Sequence, residues 1–187
     1  VGLNLLGNPY GFTMDWDASS GWAKNNVDAS IYIWSDSANS GNGAYLSWNG
    51  LTGTLGNGKI APWQGFWVHA NTTSPSISFS DSIRSTGGVY RKQKPTPELR
   101  FTLQNNHFTN SAIVMFGPHS KIKNDRFDAY KLQSLSTDFL SLFTQRRDGS
   151  PLDINALPAS LNEQLDIPMD FSGSNLSGDF TLRWNSS

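Results

Sequence analysis

The stretch Ile60-Ala61-Pro62-Trp63-Gln64-Gly65-Phe66-Trp67-Val68-His69-Ala70 is the densest block of large apolar side chains in the chain, and the fold turns on its reading. Aromatic and β-branched residues without a helix-forming run read as one strand, with Pro62 near its start and Asn71, Thr72 and Thr73 closing it in turn chemistry. Because strand side chains alternate, Phe66, Val68 and Ala70 share one face while Trp67 and His69 share the other. A strand with bulk on both faces either lies in the middle of a two-layer core or presents its second face to something outside the fold.

Working outward, short apolar or alternating runs recur between Gly, Asn, Ser, Asp and Pro clusters. They are Val1 to Leu6, Ile31 to Trp34, Ala44 to Trp48, Gly65 to Ala70, Ser76 to Phe79 and Leu99 to Leu103, then Ala112 to Phe116, Ala129 to Leu132, Phe139 to Phe143, Leu152 to Ile154, Leu165 to Phe171 and Phe180 to Trp184. This spacing predicts an all-β fold, an antiparallel β-sandwich of jelly-roll or Ig-like type. Helix signals are confined to two short runs, Asp15 to Lys24 and Leu157 to Gln164. The segment Arg84 to Glu98, with Gly87-Gly88, the basic Arg91, Lys92 and Lys94, and then Pro95 and Pro97, reads as the candidate linker. It divides the chain into a Trp-rich β-unit, 1–94, holding six of the seven tryptophans, and a second β-sandwich unit, 95–187, with only Trp184. Two packed β-units or one composite sandwich both fit this division.

A chain of 187 residues can bury a substantial core. Its net charge of −1 and pI near 6.3 remove the electrostatic case for a nucleic-acid partner. Charged residues make up only 16% of the chain, so solubility rests on neutral polar side chains, a composition associated with secreted β-proteins. The absence of cysteine removes a disulfide framework and thiolate metal sites. No apolar run is long enough to insert in a membrane as a helix. Nothing at the N-terminus reads as a signal peptide, because Val1 to Leu6 enters a strand directly, so the expectation is a mature fragment or an excised domain.

Asn4-Leu5-Leu6-Gly7-Asn8-Pro9-Tyr10, Asp15-Trp16, Ile31-Tyr32-Ile33-Trp34, Trp48-Asn49-Gly50 and Ile60 to Val68 follow one another in an ordered pattern. Leu99 to Leu103, Phe127 to Leu132, Ile154 to Pro158 and Gly178 to Trp184 continue it. In this order they resemble a region found in large secreted Bacteroidetes proteins exported by the type IX secretion system, across nearly the whole chain. The resemblance implies a non-catalytic extracellular β-sandwich region near the C-terminal sorting domain of an adhesin or polysaccharide-degrading enzyme, secreted or at the cell surface. The sequence departs from the pattern at Gly11-Phe12, where a second Pro is common, and at Lys121, Lys123 and Asn124, which replace an acidic loop and weaken a calcium site there. It also stops at Ser187, where the family's sandwich often runs on.

Alternation places Tyr32 and Trp34 opposite Ile31 and Ile33. If the two strands are neighbours, Tyr32, Trp34 and Trp67 form an aromatic surface flanked by His69, suited to the C–H faces of sugar rings. The competing reading is that the same rings fill a sandwich core. Tyr45, Trp48, Trp22 and Trp63 lie in or beside loop-like sequence, where β-sandwiches carry binding, and Trp63 beside Pro62 is the leading single candidate. Asp15, Asp17 and Asp28, or Asp125 and Asp128, are weak candidates for a structural calcium ion, without an EF-hand pattern. His69, His107 and His119 lack zinc spacing. Motifs for catalysis are missing, and the two glutamates, Glu98 and Glu163, stand in loop-like contexts. The expectation is a carbohydrate-binding module whose partner is a polysaccharide. The rival is a structural or protein-interaction spacer engaging secretion or cell-surface proteins.

Overall fold

The computed structural model describes residues 1–85, 96–123, 125–146, 148–161 and 164–187, and within them the chain is nearly all strand. In order the strands are β1 (Gly2–Gly7), β2 (Thr13–Asp15), β3 (Trp22–Asn25), β4 (Val27–Ser35), β5 (Ala44–Trp48), β6 (Lys59–Ile60), β7 (Gly65–Ala70), β8 (Ser76–Phe79) and β9 (Arg84–Ser85). They continue as β10 (Glu98–Gln104), β11 (Thr109–Gly117), β12 (Ala129–Tyr130), β13 (Phe139–Gln145), β14 (Pro151–Pro158), β15 (Met169–Ser174) and β16 (Thr181–Ser186). Two single-turn 3₁₀ segments, Asn39–Gly41 and Asp81–Ile83, are the helical exceptions among the described residues. No helix there is long and apolar enough to cross a membrane. The central part of the linker, with Gly87-Gly88, Arg91, Lys92, Lys94 and Pro95, lies outside the described residues, as do Asn124 and Glu163.

Two sheets carry the architecture. The first has the order β1-β7-β4-β5, and the second runs β15-β13-β14-β11-β10-β16, with β12 paired to β14. Two small sheets, β6-β2-β9 and β3-β8, flank the first. The sandwich-like all-β fold is as expected, with one refinement: β11 and β14 run parallel, while the other pairs are antiparallel.

The first sheet is apolar on both faces because each face meets its own core. Ile31, Ile33, Phe66 and Val68 pack with Met14, Trp16, Ile60 and Ile83 from the small sheets and their loops. On the opposite face, Tyr32 packs with Ile113, Met115, Ala129, Ile154 and Ala156 of the second sheet. A third core, Leu103, Phe108, Ala112, Leu140 and Leu142, lies on the far side of the second sheet. The middle core therefore joins the halves of the chain, assisted by Ser30 Oγ donating to Asp128 O (2.9 Å) and Asn49 Nδ2 donating to Phe127 O (2.6 Å).

Two local expectations are corrected. Ile60 to Ala70 is not one strand: β6 ends at Ile60, and a tight turn closed by Gln64 N–H donating to Ala61 O (3.2 Å) leads into β7. Proline presets the backbone for the second position of such a turn, which is where Pro62 falls. Asp15 to Lys24 is not helical; it completes β2, turns, and opens β3 at Trp22. Trp16 sinks into the first core there, its indole N–H donating to Ala29 O at 2.6 Å, and this burial overrides a weak helix signal. In the second run, Leu157 and Pro158 end β14, and no helix follows among the described residues.

Candidate functional site

The expected aromatic face exists, because β4 and β7 are neighbours with Tyr32 opposite Trp67, and Trp34 stands opposite Tyr45 across β4 and β5. Directly opposed residues point to the same side of a sheet. The second sheet, however, lies on the middle of this face. Tyr32 is only 1% exposed, and its hydroxyl accepts the Tyr130 N–H at 2.8 Å, so the expectation that it touches a ligand is corrected to a core position. Burial also holds its phenol far above the usual range, against the Tyr130 hydrogen bond. Trp67 is half-buried against the same core. Trp34, also half-buried, meets Tyr45 edge to face with centroids 5.2 Å apart and occupies the space a Cβ would need at Gly43.

The other candidate rings are tied down by their polar ends. Tyr45 and Trp48 sit within β5 rather than in a loop, and the Trp48 N–H donates to Asp17 Oδ2 at 2.7 Å. Trp22 donates to Asp15 O at 2.7 Å and packs edge to face on Trp16 and Phe79. His69 places Nδ1 2.7 Å from Asp28 Oδ2, while Asn71 Nδ2 donates to Asp28 Oδ1 at 2.8 Å. A bulge creates this contact: Val27 pairs with Ala70 and Ile31 with Val68, so β4 spans four residues where β7 spans two. Bulges re-aim side chains in this way.

Trp63 differs from the rest. The residue is 71% exposed, and its backbone sits at φ 63°, in the left-handed region. It occupies the third position of the Ala61–Gln64 turn, where a positive φ normally selects Gly or Asn. Asn8 clamps this turn to the preceding loop: Nδ2 donates to Ala61 O (2.9 Å) and Phe12 O (2.8 Å), and Oδ1 accepts the Tyr10 N–H (3.0 Å). The Asn8 N–H also donates to Gln64 O at 2.9 Å. A bulky non-glycine residue held at positive φ is strained by ~1–3 kcal/mol and persists only where its surroundings over-determine it.

The carboxylates named as calcium candidates spend oxygens on protein donors. Asp15 pairs with Lys59 and accepts the Asp17 N–H, and Asp28 serves His69 and Asn71. Asp125 accepts N–H groups of Lys121 and Phe127, and Asp128 accepts those of Ala156 and Asp125 as well as Arg146 Nη2 at 3.2 Å. Burial raises Asp17 above the usual carboxylate range, and it pushes Asp128 up to about 6 against those donors. Among the described residues no group of three or more His, Asp or Glu side chains converges as a metal site. Lys24 is pushed down to about 8 by burial; its Nζ lies 3.8 Å over the Trp16 ring and donates to Trp16 O at 2.9 Å.

A cleft between the halves brings Tyr45 together with Asn39, Arg100, Lys131 and Asp153, four residues the sequence reading did not single out. The available signal was a charged residue inside an apolar run, as in Leu152-Asp153-Ile154. Comparison with known protein families, curated proteins and solved structures finds no match to this chain.

Proposed function

We propose that this chain is a non-catalytic carbohydrate-binding module of a larger secreted or cell-surface protein, with Trp63 as the ring on which a sugar stacks. Trp63 carries the reading: an exposed indole stands on a strained turn whose backbone, clamped by Asn8, is fixed before any ligand arrives. Preorganisation matters because binding must offset lost freedom before it shows as affinity. The neutral, polar, weakly charged composition suits an uncharged hydroxyl-rich ligand, and the ordered motifs resembling type IX cargo support an extracellular setting.

Affinity electrophoresis of the chain against neutral and acidic polysaccharides, beside Trp63→Asn, tests this. Asn tolerates positive φ, so the variant keeps the turn and loses only the ring. Retardation by a glycan that vanishes in folded Trp63→Asn is the expected result. A folded parent that no glycan retards, or a variant retarded equally, refutes the reading.

A protein-interaction role is the second reading, favoured by β16. This edge strand is exposed throughout, with Leu182 (42%) and Trp184 (68%) on one face, a form suited to strand addition by a partner.

A further inference from the structure

Separately from the Trp63 turn, we infer that the cleft between the halves of the chain binds a single carboxylate-bearing sugar ring of the uronate class. The cavity is about 190 Å³, with Asn39, Tyr45, Thr54, Arg100, Lys131 and Asp153 among its walls. That is below the ~300–1,000 Å³ of pockets for drug-sized ligands and fits one ring.

The lining has more donors than acceptors. Asp153 is already satisfied, with Oδ1 taking Lys131 Nζ at 2.6 Å and Oδ2 taking the hydroxyls of Ser47 and Thr54. Lys131 gives a second proton to Ser111 O at 2.9 Å, and an ammonium has three to give. Arg100 directs Nε (3.2 Å) and Nη2 (3.0 Å) to the same oxygen of Glu98, while its Nη1 takes no partner among the described residues. Asn39 is only 5% exposed, and its Oδ1 accepts the Thr109 N–H at 3.1 Å, which fixes the amide and leaves Nδ2 without a partner among the described residues. A buried donor without an acceptor is destabilising, and this one is held on strained backbone, with Asn39 at φ 54° and Ser40 at φ 57°.

The walls therefore carry two cations, Lys131 paired with Asp153 and Arg100 paired with Glu98, that each keep an N–H to spare, together with an unmet amide donor and an aromatic ring, Tyr45. A carboxylate answers the spare N–H groups of the cations, a hydroxyl answers Asn39, and the C–H face of the sugar packs on Tyr45. A neutral sugar brings no charge to those spare N–H donors. A simple carboxylate has no ring to set against Tyr45.

The test is a chemical-shift titration of the isotope-labelled chain with D-glucuronate, D-glucose and acetate, and with a glucuronate-containing oligosaccharide. Glucuronate is expected to shift amides of 38–46 and 109–111 saturably, with glucose and acetate about tenfold weaker or more. Asn39→Asp retains the acceptor for Thr109 and the tolerance of positive φ but replaces the donor with a like charge, so it should weaken glucuronate about ten- to a hundredfold. Arg100→Gln should do the same and decides the matter if Asn39→Asp fails to fold. Trp63→Asn should leave this binding intact, which keeps failure here distinct from failure of the turn. Tighter binding of the oligosaccharide than of the monomer identifies an acidic polysaccharide as the source, and equal binding identifies the free acid. Acetate or glucose binding as tightly as glucuronate, no response to glucuronate, or binding unchanged in both cleft variants overturns the inference.

Discussion

Ile154→Ala, a substitution in the second half of the chain, should destabilise the first half equally. Ile154 is fully buried in the core that contains Tyr32, together with Ile113, Met115, Ala129 and Ala156. Removing a buried Ile side chain down to Ala costs about 2–5 kcal/mol through lost transfer energy and the cavity left behind. For a chain of this size each kcal/mol moves Tm by about 2–4 °C, so a loss of about 3 kcal/mol lowers it by about 6–12 °C. Six of the seven tryptophans lie before residue 95, so fluorescence reports chiefly on the first half, while far-UV circular dichroism reports on all strands. Coupling through the middle core requires both signals to fall together in one cooperative transition. A fluorescence midpoint that stays at the parent value while a separate dichroism transition moves would refute the claim that this core makes the halves one folding unit. Tyr32→Phe probes the same core from the other side: it strips the acceptor from the part-buried Tyr130 N–H, at a cost of ~1–3 kcal/mol, and should move both signals by the same amount.

The depressed Lys24 makes stability depend on pH in a defined window. Above about 8 the folded chain has released a proton that the unfolded chain holds until about 10.5, so stability rises with pH across that interval; urea titrations should show the rise in the parent and a flatter response in Lys24→Met, and equal slopes would exclude the assignment. Gly53→Ala should be strongly destabilising, by ~1–3 kcal/mol or more, because its Cβ would sit 2.8 Å from Trp48 Cα and closer still to Ser47 O, backbone atoms that cannot rotate away. A thermal midpoint at the parent value would contradict the packing of that turn.

The long strands were legible because alternation is a local property. Each of the apolar runs picked out above overlaps a strand, and the division of Phe66 and Val68 from Trp67 and His69 follows the burial of β7. The strands without a signal are β2, β3, β6 and β9, two to four residues long, too short for a period of two to register. The Pro62-Trp63 turn was hidden for a chemical reason, since a tryptophan stands where glycine or asparagine would announce a positive φ. Burial of Tyr32 was legible only as one of two readings: alternation gives the face, but what covers it depends on a second sheet more than 60 residues away, beginning at Glu98. The cleft was invisible for the same reason. Lys131 meets Asp153 only through the pairing of β12 with β14, and a register shift between Ala129 and Tyr130 intervenes just before it.

The first sheet commits one face to a core and the middle of the other face to a second core, so the proposed binding is placed where the chain leaves the sheet. Departures from it with positive φ include the turn at Trp63 before β7 and the loop at Asn39 and Ser40 between β4 and β5. Among the described residues, the non-glycine residues at positive φ are Asn26, Asn39, Ser40, Trp63, Ser74 and Asn175. Asn relieves such a conformation through its own side chain, and Ser does so more weakly, whereas an indole cannot. Folding alone would place Asn or Gly at position 63. Trp63→Asn should therefore be no less stable than the parent in thermal denaturation, even as it loses the glycan, the pattern of a residue kept for function at a cost in stability. If the variant instead melts several degrees lower, the ring is a packing element, and the strain at residue 63 no longer argues for a binding site.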